Sequence, residues 1–136
     1  VKRAGLGGGG VVGLEFRKGI MEVLEAKGIY DTTVLAEVGR PLPLPSGSFD
    51  VIISAGTVLP KSTASQFYPL FNDFCRVGAS GGLCVLTLRA DVWDDLRSAC
   101  RRAMGELEGE GKWEFVQEGE KVGFPDSVCT VTFRIW

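Results

Sequence analysis

The stretch Leu42-Pro43-Leu44-Pro45-Ser46-Gly47-Ser48-Phe49-Asp50-Val51-Ile52-Ile53-Ser54 decides how this chain folds. Its first half continues a run from Arg40 that holds Pro41, Pro43, Pro45 and a Ser-Gly-Ser, so it reads as an ordered loop. Its second half, Phe49 to Ser54, is nearly all apolar, as expected of a strand buried on both faces. Such strands belong to parallel sheets whose crossover helices cover both sides, so the flanking sequence must supply helices.

It does. Downstream, Ala55 to Lys61 reads as loop, and Phe67, Leu70, Phe71, Phe74 and Cys75 recur at i, i+3, i+4, i+7 and i+8, the stripe of an amphipathic helix. Gly78 to Gly82 is expected to turn the chain into a second buried strand, Leu83 to Leu88. Trp93, Leu96, Cys100, Ala103, Met104 and Leu107 form the stripe of one longer helix, ended by Gly109 and Gly111. Trp113 to Gln117 reads as a strand. Cys129, Val131, Phe133 and Ile135 alternate with Thr130, Thr132 and Arg134, the texture of an antiparallel pair with one buried face. Upstream, Thr32 to Val38 is a β-rich run, Ile20, Val23 and Leu24 mark a helix closed by Lys27-Gly28, and Val11 to Phe16 is a short strand. The order β-α-β-β-α-β-α-β-β predicts an α/β fold: a Rossmann-like open sheet, mostly parallel, with an antiparallel C-terminal hairpin and helices on both faces. No domain boundary interrupts residues 1–136.

Composition excludes several classes. A net charge of −2 leaves no basic excess for a nucleic-acid surface; Arg97, Arg101 and Arg102 stand among Asp94, Asp95 and Glu106 and read as a solvated helix face. Cys75, Cys84, Cys100 and Cys129 form no CxxC pair, and the chain has no histidine, so no metal site is expected. They read as reduced, buried thiols of a cytoplasmic protein. No run approaches the ~18 apolar residues of a membrane span, and Val1-Lys2-Arg3 leads into glycines rather than the apolar core of a signal peptide. The absence of an initial methionine is read as trimming, processing or an incomplete gene model.

The Leu42–Ser54 stretch resembles the segment that enters strand four of class I S-adenosylmethionine-dependent methyltransferases. Phe74-Cys75-Arg76-Val77-Gly78-Ala79-Ser80-Gly81-Gly82-Leu83 resembles their turn into strand five, at the interval normal for that family. Val12-Gly13-Leu14-Glu15, Glu25-Ala26-Lys27-Gly28-Ile29-Tyr30-Asp31 and the long final helix are most similar to the Williams–Beuren-region methyltransferase-like proteins. The resemblance implies a partial class I methyltransferase domain that binds S-adenosylmethionine and transfers its methyl group to a small-molecule or protein acceptor.

It also implies site residues. Glu15, with Phe16 beside it, matches the acid at the end of strand two that holds the cofactor ribose, since a carboxylate has acceptor geometry for two neighbouring hydroxyls. Glu37 matches the acid at the end of strand three that reads the adenine amino group, with Val38 packing on the ring. Ser54, Ala55 and Gly56 match positions facing the methionine moiety and the substrate. Without the resemblance, Glu15 reads equally as a solvent-facing acid favoured by the dipole of the next helix, Ser54 as a small strand-end residue, and Trp93 and Trp113 as core. Tyr30 and Tyr68 are candidates for an entrance on general position alone.

The family's first strand and glycine loop are expected to lie outside this chain, because Val1 to Leu6 resemble the tail of the helix that follows that loop. Gly5, Gly7 and Gly10 spell G-x-G-x-x-G, yet a strand follows them instead of preceding them, so they are not expected to hold the cofactor. The missing strand would lie between strands two and four of the family sheet. Two apolar strands are therefore expected to show unpaired edges, which leaves the isolated chain marginally stable and offers a protein partner an edge to dock on. Methyl transfer works by holding the acceptor in line rather than through a protein nucleophile, so no catalytic residue is named. Two alternatives stay open: a non-catalytic fragment or pseudo-enzyme acting through a partner protein, and a nicotinamide-dependent Rossmann oxidoreductase, which the misplaced glycines and the final hairpin weaken.

Overall fold

Residues 9–37, 40–56, 64–123 and 127–136 are described by the computed structural model. They belong to two units, Val1–Pro43 and Leu44–Trp136. The first runs β1 (Val12–Glu15), α1 (Lys18–Lys27) and β2 (Thr32–Leu35). Its two strands are parallel, in register from Val12↔Thr32 to Glu15↔Leu35. Gly28 stops α1 in the left-handed conformation at φ 59°, and its N–H donates to the Glu25 carbonyl at 3.0 Å. The Thr33 hydroxyl donates to Glu25 Oε1 at 2.7 Å and ties the helix to β2. Gly13 has a packing reason: a Cβ there would stand 2.7 Å from the Tyr30 ring. Tyr30, a candidate for an entrance, instead lies flat against β1.

The second unit runs β3 (Phe49–Ser54), α2 (Ala64–Val77), β4 (Gly78–Arg89), α3 (Ala90–Asp94), α4 (Ala99–Gly109), β5 (Trp113–Glu118) and β6 (Val128–Ile135). Its sheet has the order β3-β4-β6-β5, with β3 and β4 parallel and β6 antiparallel to both neighbours. The mixed α/β class, the parallel pairing and the antiparallel C-terminal hairpin agree with the sequence. Cys84, Leu86 and Leu88 lie beside Phe133, Val131 and Cys129, and all six are buried. Trp113 stacks on Phe133 at 4.2 Å, meets Phe71 of α2 at 5.5 Å, and donates its indole N–H to the Met104 carbonyl of α4 at 3.0 Å. One buried indole thus holds two helices on one face of the sheet, and ring pairs of this kind add ~0.5–1.5 kcal/mol each beyond area burial.

The two stretches that carry the family resemblance also hold each other. Arg76, at the end of α2, pairs with Asp73 and donates from Nη1 to the Leu44 carbonyl at 2.8 Å. The N–H groups of Gly47 and Ser48 donate in return to the carbonyls of Arg76 and Val77, each at 2.8 Å.

Two elements differ from expectation. The turn expected at Gly78–Gly82 is a bulge inside a continuous β4: Phe49 pairs with Gly78 and Val51 with Leu83, five steps on one strand against two on the other. Gly81 takes φ 82°, and a Cβ on Gly82 would sit 2.8 Å from the carbonyl oxygens of Ala79 and Asp50. The single helix expected from Trp93 to Leu107 is broken into α3 and α4. Asp95 Oδ1 accepts the Arg97 N–H at 2.9 Å, and Ser98 caps α4 by accepting the Arg101 N–H at 3.2 Å while donating to the Val92 carbonyl at 2.9 Å. Short polar side chains that bond their own backbone outcompete helix continuation, and Leu96, in the break, is 69% exposed.

Candidate functional site

Parallel strands gather ligands at their carboxyl ends, and the candidate residues sit there in both units. In the first unit Glu15 ends β1. Its Oε1 accepts the N–H groups of Phe16 at 2.9 Å and Arg17 at 3.1 Å, and the Arg17 Nε at 3.4 Å. These bonds, that from the Arg17 N–H foremost, hold its carboxyl below the usual carboxylate range, so it is ionised at neutral pH. One oxygen brackets the turn into α1, the helix-start role the sequence offered, and the other, Oε2, is without a partner among the described residues. Phe16 is exposed, with the Arg17 guanidinium 5.1 Å over its ring. The Ala36 N–H donates to the Glu15 carbonyl at 3.0 Å, which fixes Glu37 at the same edge of this strand pair. Glu37 is exposed and its Oε2 takes the Arg40 Nε at 2.9 Å. Val38 lies outside the described residues, as do Gly5 and Gly7.

In the second unit Ser54 ends β3. It is 7% exposed, and its Oγ has no hydrogen-bond partner among the described residues. A buried hydroxyl left in that condition costs ~1–3 kcal/mol and calls for an explanation. Ala55 and Gly56 follow, both exposed, and Gly56 turns the chain at φ 71°. The Gly56 N–H donates to Thr87 Oγ1 of the adjacent β4 at 3.2 Å. The structure thus groups Glu15, Phe16 and Glu37 at one edge, and Ser54, Ala55 and Gly56 at the other unit's edge.

Proteins with this fold are known. A solved S-adenosylmethionine-dependent methyltransferase from Methanosarcina mazei superposes with a TM-score of 0.70 at 9% identity, covering 91% of this chain and 81% of that one. A TehB-like S-adenosylmethionine-dependent methyltransferase from Corynebacterium glutamicum gives 0.68 at 15% identity, covering 92% and 67%. The fold is that of the class I S-adenosylmethionine-dependent methyltransferases. In sequence, methyltransferase-like protein 27 of Homo sapiens is 29% identical over 104 residues, 75% of this chain. Those residues are 41% of that protein, so the chain spans about two-fifths of the length of the curated relative it matches. No family model matches the chain.

Within this methyltransferase fold, three residues at the carboxyl edges carried no sequence signal. Arg17 and Arg40 engage the two candidate acids, and Thr87 anchors the Gly56 turn. A strand-end threonine two residues from the apolar run's centre has nothing to distinguish it until β3 and β4 are paired. Trp93 and Trp113 are buried, as core residues. Tyr68, the other entrance candidate, has its hydroxyl engaged by Glu110 at 2.8 Å and Lys112 at 3.1 Å. Among the described residues no cluster of three or more His, Cys, Asp or Glu could hold a metal ion, and no helix is long and apolar enough to cross a membrane.

Proposed function

We propose that this chain is part of an S-adenosylmethionine-dependent methyltransferase acting on a small-molecule or protein acceptor. The observation that carries the reading is the buried Ser54 hydroxyl, without a hydrogen-bond partner among the described residues, at the carboxyl end of a parallel strand, a polar atom whose burial a ligand would offset. The leftover Oε2 of an ionised Glu15 supports it, because a carboxylate at a strand end accepts well from ribose hydroxyls. When bound, the cofactor supplies an electrophilic methyl group on a sulfonium centre. The chain's part is to bind and orient: in the first unit Glu15 offers a carboxylate oxygen suited to ribose hydroxyls, and in the second Ser54 offers a hydroxyl to a polar ligand atom while Gly56, which has no side chain, leaves room beside it. Glu37 has its carboxylate engaged by Arg40, so adenine recognition through it requires exchange of that pair. A cytoplasmic location belongs to the same reading, supported by four unpaired thiols.

The test is calorimetric titration of the chain with S-adenosylhomocysteine. The reading expects micromolar binding, weakened ~10–100-fold in Glu15→Ala by loss of a charge-assisted bond. No heat from a chain that circular dichroism shows to be folded, or equal affinity in the variant, would overturn it.

A further inference from the structure

The outer edge of the second unit, where α4 faces β5, carries a groove the methyltransferase reading does not use. Arg101, Met104, Gly105 and Glu108 fall at i, i+3, i+4 and i+7 on one face of α4, and with Trp93, Phe115 and Glu114 they line a space of about 430 Å³, within the range of ligand sites. Sheet order puts β5 at the opposite edge from β3, so this groove is separate from the Ser54 end.

Three features point to an occupant. First, Gly105 stands in the middle of a helix, where glycine weakens it, and nothing in the packing asks for glycine, because an added Cβ would meet no atom within 4 Å. Its effect is to keep the floor of the groove low. Second, the Arg101 guanidinium lies 3.7 Å over the Trp93 ring. Stacking uses its face and leaves its in-plane N–H groups for a ligand; no carboxylate pairs with it among the described residues. Third, the far end is acidic. Glu108 Oε1 accepts the Phe115 N–H at 2.9 Å, which blocks that part of the β5 edge against strand addition. Its other oxygen and the whole Glu114 carboxylate have no partner among the described residues. Seven residues of helix separate Arg101 from Glu108 by ~10.5 Å. An extended chain in the polyproline II conformation covers about that distance in three residues, one full turn, so that side chains i and i+3 face the same way.

We infer that the groove binds an extended protein segment with an acidic side chain at Arg101, a basic side chain three residues away at Glu108 and Glu114, and an apolar side chain between them over Gly105. Charge at both ends fixes register, and the Trp93, Met104 and Phe115 walls take the apolar side chain.

The test uses the full chain, isotope-labelled, titrated with acetyl-Glu-Leu-Ala-Lys-amide and with acetyl-Gln-Leu-Ala-Gln-amide. The charged peptide should shift the Trp93 indole and Phe115 amide resonances to saturation, and the neutral one should bind about tenfold more weakly. Gly105→Leu should abolish binding while raising Tm, so lost binding cannot be blamed on unfolding. Arg101→Glu should prefer acetyl-Lys-Leu-Ala-Lys-amide over the original peptide, a reversal that a purely structural arginine would not give. The inference is overturned by no shift at ~5 mM peptide, by equal affinity for both peptides, or by Gly105→Leu binding as wild type does. Leucine alone binding as tightly as the peptide would also overturn it, in favour of a small zwitterion.

Discussion

Replacing Ser54 by alanine removes the buried hydroxyl and nothing else of consequence. The hydroxyl is shielded from water and has no hydrogen-bond partner among the described residues, a condition that costs the ligand-free chain ~1–3 kcal/mol. Ser54→Ala should therefore stabilise that chain by the same amount. For 136 residues at ~2.1 cal/mol/K each, this is a rise in Tm of ~3–10 °C. The sign reverses for binding. A ligand atom that bonds Oγ loses ~1 kcal/mol of net interaction in the variant, about fivefold in Kd. Thermal melts by circular dichroism with and without S-adenosylhomocysteine, plus calorimetric titration, read both effects. A drop in Tm of the free variant would mean that the hydroxyl has a protein partner, and the reasoning fails. A raised Tm with unchanged Kd would leave the orphan real but remove it from the cofactor site.

If a partner strand docks on the outer edge of β3, Ile53→Lys should abolish the complex in light-scattering chromatography; Ile53 is 71% exposed, so stability should stay within ~0.5 kcal/mol. A complex that survives the charge refutes docking there. Lys112, foremost, and Tyr68 hold the Glu110 carboxyl below its usual range, and Glu110 raises Lys112 in turn. Glu110's contribution is present above ~4.3 and lost as pH falls through its lowered value, whereas Lys112's is complete below ~10.4 and lost as pH rises through its raised value. Lys112→Met should flatten both arms of a stability-against-pH curve from urea melts, and parallel curves would refute the coupling. The comparison with wild type is needed because Cys75, which burial pushes up to about 11, also withdraws stability as pH rises above ~8.5. In native-state hydrogen exchange, amides of β1 and β2 should open at lower free energy than those of β4 and β6. Phe16, Val23, Ile29 and Leu35 of the first unit are each half or more exposed, while the β4 and β6 apolar faces are fully buried. Equal protection would count against that ranking.

The limits of β3 were legible because a short, nearly all-apolar run stands between a proline-rich loop and a glycine turn, but its expected burial on both faces is not found: Val51 and Ile53 are exposed. The β6 alternation was legible because its period of two has one structural meaning. The broken helix was not, although its signal was present. The stripe from Trp93 to Leu107 fits a 3.6-residue period, yet Asp95 and Ser98 offer the backbone alternative bonds, and four residues suffice to interrupt it. The glycines at 78–82 predict a turn from sequence because their other cause, the approach of the Asp50 carbonyl to Gly82, is tertiary. At the candidate site, position was readable and occupancy was not. Glu15 and Glu37 could be placed at strand ends, but the commitment of Glu15 Oε1 to backbone and of Glu37 to Arg40 depends on turn geometry. The burial of Ser54 depends on packing that no local pattern encodes.

Ser54 and Gly105 share a logic that neither has alone. Elsewhere among the described residues of the second unit buried side-chain polar groups are matched: the Trp113 indole bonds Met104, and the Trp93 indole bonds Glu118 at 2.7 Å. Against that background one residue leaves a hydroxyl unpaired at ~1–3 kcal/mol, and another places glycine mid-helix at ~1 kcal/mol relative to alanine. Sequences consistent at every level break local rules where function opposes stability. Ser54 ends β3, whereas Gly105 lies on α4 in the groove beside β5; β3 and β5 are the two edges of the sheet, three strand spacings or ~14 Å apart, far enough for independent energetics. Two separate ligands are the economical account, since one ligand would couple them. In the double variant Ser54→Ala, Gly105→Leu the gains in stability should then add within ~0.5 kcal/mol, while cofactor and peptide affinities respond each to its own substitution. Cross-effects of either substitution on the other ligand would mean one extended site, and the division drawn here between a transfer edge and a docking edge would fall.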